Sequence, residues 1–220
     1  RDAGDWSFIP NALPGCFGSG AVNEIAYGNG MFVAVGSTAS ATNGCGIWTS
    51  FNGRNWTQKF CGGTTANTLP LNSVIFSKSR STFIAGGSVD GSGNCSIQSG
   101  SIADLTWSES LYNCSGNINV TSLTEIGSTI LASVVGPVPV VLQIPNATSS
   151  NAPANFWFND PYSYKLTQIG NGRLLIYGRN ISTTLASLNY SDNLGAGWGP
   201  SSTDLSGGAT YFNRAVTVPS

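Results

Sequence analysis

Five tryptophans, Trp6, Trp56, Trp107, Trp157 and Trp198, stand about 50, 51, 50 and 41 residues apart. No other feature constrains the fold as much as this period. The apolar run MFVAVG (31–36) recurs as TFIAGG (82–87), TILASV (129–134), RLLIYG (173–178) and, more faintly, RAVTVP (214–219). A second alternating run precedes each of the first four copies: NEIAYGNG, NSVIFSKS, TSLTEIGS and KLTQIGNG. A further β-prone segment and then a Trp follow each. A repeat of this length, made of short strands, matches one four-stranded propeller blade.

The expected fold is therefore all-β, a β-propeller of about five blades, most with four antiparallel strands, in a single domain over 1–220. The repeats fall at approximately 22–61, 71–114, 120–158 and 164–200. Residues 208–220 and 1–10 would form an incomplete closing blade shared between the two ends. Composition agrees, because 28 Gly and 10 Pro among short apolar runs suit a turn-rich β protein. No 3.6-residue apolar periodicity runs over any long window. With 9% charged residues and a net charge of −1, there is no electrostatic case for nucleic acid or an anionic membrane. The longest apolar stretch, Ile130 to Ile144, is broken by Pro137 and Pro139 and is too short to span a membrane. The chain starts at Arg1 without Met or a signal peptide, as a mature or trimmed chain would.

The stretch SFNGRNW places Ser50, Asn52, Gly53 and Trp56 in a pattern matched by Ser191, Asn193, Gly195 and Trp198. SIADLTW (101–107) keeps the Ser and Trp, and SNAPANFW (150–157) keeps little more. These turns resemble the Asp-box of bacterial-neuraminidase-type repeats. The resemblance implies a turn between the third and fourth strands of a propeller blade. Its Asp and Ser side chains would tie the turn down, and its Trp would pack between blades. In both good copies Asn replaces the Asp. Gly supplies a backbone conformation most residues avoid, and Asn can bond nearby amides, so the stretch reads as structural.

The closing blade is short. From Phe32 to Trp56 takes 24 residues, whereas Ala215 to the end and on to Trp6 gives 11, leaving roughly a third strand and its turn unaccounted for. Cys45 and Cys61 straddle the Asn52-Gly53 turn, and Cys95 and Cys114 straddle Asp104. Symmetric positions of an antiparallel hairpin face each other within disulfide reach, which predicts Cys45–Cys61 and Cys95–Cys114. Cys16 lies ten residues after Trp6, near where Cys61 and Cys114 follow their own Trp residues, and its expected partner would sit on the missing third strand; a buried free thiol is the alternative. Such disulfides imply an oxidising compartment, with the protein secreted or at the cell surface. No metal site or cofactor is expected, since there is no Cys-x-x-Cys and no His. Seven Asn-x-Ser/Thr sequons begin at Asn55, Asn94, Asn113, Asn119, Asn146, Asn180 and Asn189. Chance alone would supply roughly four or five at this composition.

Without His, a Ser-His-Asp or Cys-His mechanism is excluded within the chain. Sialidases share the Asp-box propeller, but the Arg-Ile-Pro segment that the resemblance would require is missing and the arginines fall mostly at turns. A glycosidase needs two carboxylates on one face. Only ten acidic residues exist and none recurs across repeats. Asp90 and Asp160 fall in loops, and Asp90-Gly-Ser-Gly-Asn94 lacks the acids of a calcium loop.

A binding surface is left. Loops from the second to the third strand, and from the fourth strand to the next blade, share one face of a propeller. Here they read as long and uneven: 36–45, 86–95, 61–70 and 158–165. Asp160, Tyr162 and Tyr164 set an acid beside two aromatics, a set suited to stacking on a sugar ring and bonding its hydroxyls. Asp90 and Trp48 join them as ligand-binding candidates, Trp48 because it is the one Trp outside the period. The plainer alternatives are a core Trp48, a solvated Asp90 and tyrosines that simply start the next strand. The expected function is non-catalytic recognition of a glycan or a host or partner surface protein, as a lectin or adhesin does. The alternatives are a glycoside hydrolase acting on polysaccharide and a purely structural module of a larger surface protein. No polar set recurs in the loops, which favours a single binding site over one per blade.

Overall fold

The structure is a computed structural model that describes residues 13, 20–40, 43–59, 69–89, 94–101, 106–113, 119–135, 140–144, 155–157, 164–169, 172–179, 186–192 and 199–200. Among them the chain forms sixteen strands in four antiparallel meanders of four. Blade 1 holds β1 (Ala21–Gly28), β2 (Met31–Ser40), β3 (Asn43–Ser50) and β4 (Thr57–Lys59). Blade 2 holds β5 (Leu71–Ser77), β6 (Thr82–Val89), β7 (Asn94–Gly100) and β8 (Trp107–Asn113). Blade 3 holds β9 (Asn119–Ile126), β10 (Thr129–Val135), β11 (Val140–Ile144) and β12 (Asn155–Trp157). Blade 4 holds β13 (Tyr164–Gln168), β14 (Leu174–Arg179), β15 (Ala186–Ser191) and β16 (Gly199–Pro200). A single Ser88–Asn119 bridge joins blades 2 and 3 into one eight-stranded sheet. The first strands β1, β5, β9 and β13 lie side by side in that order, which is the arrangement of a β-propeller.

The repeated apolar runs are the second strands, and their composition follows from burial on both faces. Along β2, Met31, Val33 and Val35 meet Leu71, Val74, Phe83 and Ala85 of blade 2 in one core. Along β6, alternate residues serve two cores. Phe83 and Ala85 face blade 1, whereas Ile84 joins Ile130, Ala132 and Val134 of blade 3. β10 repeats this: its Leu131, together with Val141 of β11, packs on Leu166, Leu174 and Ile176 of blade 4. A strand covered on both sides cannot alternate apolar with polar, so it reads as a continuous hydrophobic run.

The glycine ending the second-strand run is sterically required. A Cβ on Gly36 would lie 1.8 Å from the Ala21 carbonyl oxygen, and one on Gly87 2.3 Å from that of Pro70. The first strand thus enters blades 1 and 2 hard against the end of the second strand. At the opposite end of blade 1, the stretch 51–56 joins β3 to β4. Ser50 Oγ accepts from the N–H groups of Gly53 (2.9 Å) and Asn52 (3.3 Å), and Asn52 Oδ1 accepts from those of Arg54 and Asn55 (both 2.9 Å). Gly53 sits at φ +70°, where other residues are strained. Trp56 Nε1 donates to the Gly53 carbonyl, and its ring lies 6.5 Å from Phe32 of the same blade. Trp107 packs between blades, against the core shared by blades 1 and 2.

Two expected loops are shorter than read. β2 runs to Ser40 and β3 begins at Asn43, and β6 runs to Val89 with β7 from Asn94. Backbone ladders carry these Ser, Thr and Gly residues past the apolar core, because strand pairing needs no side chain. The expected closing blade, 208–220 with 1–10, lies outside the described residues, as does Cys16.

Candidate functional site

Each first strand enters its sheet at the face that carries the connections 41–42, 90–93 and 136–139 within blades, and 60–70, 114–118 and 158–163 between them. At this rim the ladder to the second strand slips by one residue, at Asn23 in β1, Asn72 in β5 and Thr121 in β9. Such bulges re-aim side chains at the edges of sheets. Asn23 Nδ2 donates to the Leu71 carbonyl (2.8 Å), and Asn72 Nδ2 to the Val120 carbonyl (3.1 Å), each on the next blade. At the third step the carbonyl is that of Thr121 itself, which accepts from Lys165 Nζ of blade 4 (2.9 Å).

The next residue along repeats the device with different chemistry. Glu24 accepts from Ser73 Oγ (2.6 Å) and from the Val74 N–H (2.8 Å). Ser73 Oγ accepts from the Leu123 N–H (3.0 Å), and Ser122 Oγ donates to the Leu166 carbonyl (3.2 Å). A polar collar thus laces the first strands together around the rim. Its groups are engaged with neighbouring blades, so it acts as a rigid base for the loops rather than as the ligand-binding set. Sequence reasoning missed it because the period was sought in the loops, whereas the repeated polar residues sit one to three places into the first strands.

The carboxylates among the described residues all hold structural bonds. Besides Glu24, Glu109 accepts from Ser96 Oγ (2.8 Å). Glu125 caps the β5–β6 turn at the opposite face, accepting from Ser77 Oγ, Ser79 Oγ and the N–H groups of Lys78 and Ser79. Burial pushes Glu125 up, but those four donors outweigh it and hold the carboxyl below its usual range. Asp192 takes a two-pronged ion pair from Arg173 at 2.6 and 3.0 Å, while the Arg173 guanidinium stacks 4.5 Å over Tyr190. That pairing raises Arg173 further above its ordinary value. The described residues hold no cluster of three or more His, Cys, Asp or Glu that could bind a metal.

The residues singled out from sequence fare differently. Trp48 is 0% exposed in mid-β3, with its ring where a Cβ on Gly46 would lie, so it offers no face to a ligand and is a core residue. Tyr164 opens β13 opposite Gly178, at the collar end of the strand. Asp90 directly follows β6, and Asp160 and Tyr162 fall between β12 and β13; all three lie outside the described residues. Both connections belong to the collar face. Cys45 and Cys95 are each disulfide-bonded. Their expected partners, Cys61 and Cys114, lie outside the described residues. The β3–β4 ladder sets Ile47, two residues after Cys45, opposite Lys59, two residues before Cys61 in sequence. The β7–β8 ladder sets Cys95 opposite Tyr112, two residues short of Cys114.

No protein-family model matches the chain, and no curated protein matches it. Solved structures do. An exo-β-1,3-galactanase from Phanerochaete chrysosporium, in complex with β-1,3-galactotriose, is 14% identical with a TM-score of 0.53, over 80% of this chain and 48% of the galactanase. A β-1,3-galactosidase of glycoside hydrolase family 43, with galactodeoxynojirimycin, is 8% identical with a TM-score of 0.53, over 80% of this chain and 73% of its own. A family 43 protein from Bacillus licheniformis is 13% identical with a TM-score of 0.56, over 89% and 43%. This chain therefore spans about half the length of the galactanase, and the shared feature is the β-propeller fold.

Proposed function

We propose that this propeller is directed at a polysaccharide and engages it on the collar face. The observation that supports this most is the company its fold keeps, since structures with the same propeller are named as enzymes of galactans and related glycans. That company favours hydrolysis, given above as the alternative, over non-catalytic recognition. Hydrolysis needs two convergent carboxylates. With Glu24, Glu109, Glu125 and Asp192 committed to structural bonds, and Asp104 falling between β7 and β8 at the opposite end of the blade, the pair would come from Asp2, Asp5, Asp90, Asp160 and Asp204. Recognition without cleavage would rest on Asp160, Tyr162 and Tyr164 at the entry to β13. In this reading the Ser50–Trp56 turn is an Asp-box with Asn in the acidic place, and the protein works in an oxidising compartment outside the cytoplasm.

Incubation with β-1,3-galactan, xylan and arabinan separates the two forms. Release of soluble saccharide, abolished by Asp90→Asn or Asp160→Asn, establishes hydrolysis with that carboxylate in the reaction. Retardation in a polysaccharide-containing gel without release establishes recognition alone. A folded chain that neither cleaves nor is retarded by any of the three contradicts the proposal.

A further inference from the structure

The seven Asn-x-Ser/Thr sequons differ in whether the asparagine and the hydroxyl residue two places on stand in solvent. Four of those hydroxyl residues are described: Thr57, Ser96, Thr121 and Ser191. Ser96, which completes the sequon of Asn94, is 2% exposed and donates to Glu109. Thr121 is half-buried and donates to the Ser133 carbonyl (3.3 Å), while its asparagine, Asn119, pairs with Val135 and with Ser88 on the first strand of blade 3. Ser191 is 1% exposed, and its Asn189 lies mid-sheet in β15 between Ile176 and Pro200. Thr57, alone of the four, is exposed, and so is its Asn55. Asn146, Asn180 and Ser115, the last completing the sequon of Asn113, lie outside the described residues.

We infer that Asn55 carries an N-linked oligosaccharide, an inference that rests on the oxidising compartment proposed above. Over 55–57 the pattern is exposed, half-buried, exposed. Trp56 turns inward, with its ring towards Phe32 and its Nε1 on the Gly53 carbonyl, and the two groups that the transfer needs stay outside. Ser50 Oγ and Asn52 Oδ1 take up the N–H groups of the turn, that of Asn55 included, so its backbone is fixed without help from the Asn55 side chain. The Asn55 amide bonds none of the described residues and is left for the transfer. Thr57 opens β4, the outer edge strand of blade 1. In the transfer, Asn55 Nδ2 bonds to the anomeric carbon of an oligosaccharide carried on a polyprenyl diphosphate. The carbon–oxygen bond to the diphosphate breaks, the lipid diphosphate leaves with that electron pair, and the amide proton passes to a base of the transferase. A bulky, polar oligosaccharide must stay in water once the chain has folded, which a turn allows and a mid-sheet position does not. The 51–56 turn is at the end of the blade opposite the collar, so a glycan there leaves the collar face open.

Secretion of the full chain from a eukaryotic host behind a cleavable leader, followed by peptide mass spectrometry before and after peptide-N-glycosidase, tests the inference. The peptide holding Asn55 should carry a glycan, and enzymatic removal should leave Asn55 converted to aspartate. Asn55→Gln and Thr57→Ala should each lose the mass of one glycan, whereas Thr57→Ser should keep it. Asn119 and Asn189 should be unmodified. A secreted, folded chain with Asn55 bare overturns the inference whether or not the disulfides have formed. A glycan on Asn119 or Asn189 overturns it as well, because exposure would then not select the site. The compartment reading is judged separately by Cys45 and Cys95: free thiols there beside an occupied Asn55 would count against that reading and leave the inference standing.

Discussion

Replacing Asn52 by aspartate should stabilise the protein at neutral pH. Asn52 Oδ1 accepts three bonds, from the N–H groups of Arg54 and Asn55 at 2.9 Å and from Ser50 Oγ at 3.2 Å. None of the described residues accepts a bond from its Nδ2, so a second carboxylate oxygen would meet solvent. A bond to an ionised acceptor is worth roughly twice a neutral one, a gain of about 1 kcal/mol for each of the two short bonds. Asn52 is exposed, and screening should about halve that total, leaving about 1 kcal/mol and a rise in Tm of about 2–4 °C. The three donors hold the folded-state pKa of the new Asp below its unfolded value of about 3.9. The gain is therefore fully present above that pH and is lost as pH falls through the folded-state pKa. Urea unfolding of Asn52→Asp and of the parent at pH 7 and pH 2 measures both. An unchanged or lowered midpoint at pH 7, or a gain that survives at pH 2, refutes the reasoning. Asn52→Ala, which removes the acceptor, should cost about 1–2 kcal/mol at either pH.

Gly36→Ala and Gly87→Ala should each lose about 3 kcal/mol or more in urea unfolding, because their Cβ would meet a backbone carbonyl that cannot move aside; parent-like midpoints would show that the first strands do not enter as described. Glu125→Gln should lose about 1 kcal/mol at pH 7, a figure discounted for its partial exposure. Because its folded-state pKa is lowered, melts from pH 7 to pH 2 should show that deficit shrinking as pH falls through it, and a gap constant with pH would contradict the assignment. Peptide mapping without reduction should recover Cys45 joined to Cys61 and Cys95 joined to Cys114. Any other pairing would show that the β3–β4 and β7–β8 hairpins are not clipped as expected.

The blades were legible because the strongest signals are the ones a propeller repeats without change. A second strand buried on both faces has to be apolar throughout, so MFVAVG and its copies stand out from the rest of the chain. The collar was not legible, because one physical role is filled by different residues. Glu24, Ser73 and Ser122 occupy the same place and each bonds the next blade, but a carboxylate and two hydroxyls share no letter pattern. Trp48 misled for the opposite reason. A Trp outside the period reads as available for a ligand, yet the glycine two places earlier on the same face leaves room for its ring to lie over the strand and out of solvent. Symmetry about Asp104 suggested a register that the β7–β8 ladder does not keep, since turn length and not sequence midpoint sets which residues face each other.

The central claim is that a polysaccharide is engaged on the collar face, and we propose the entry to β13 as the part of that face that holds it. Glycan-array binding of the labelled chain, beside Tyr162→Ala/Tyr164→Ala, tests it most directly. The account predicts selective binding to polysaccharide-derived oligosaccharides that the double variant loses while keeping the parent's Tm. A folded parent that binds nothing on the array, or a double variant that binds as the parent does, contradicts it.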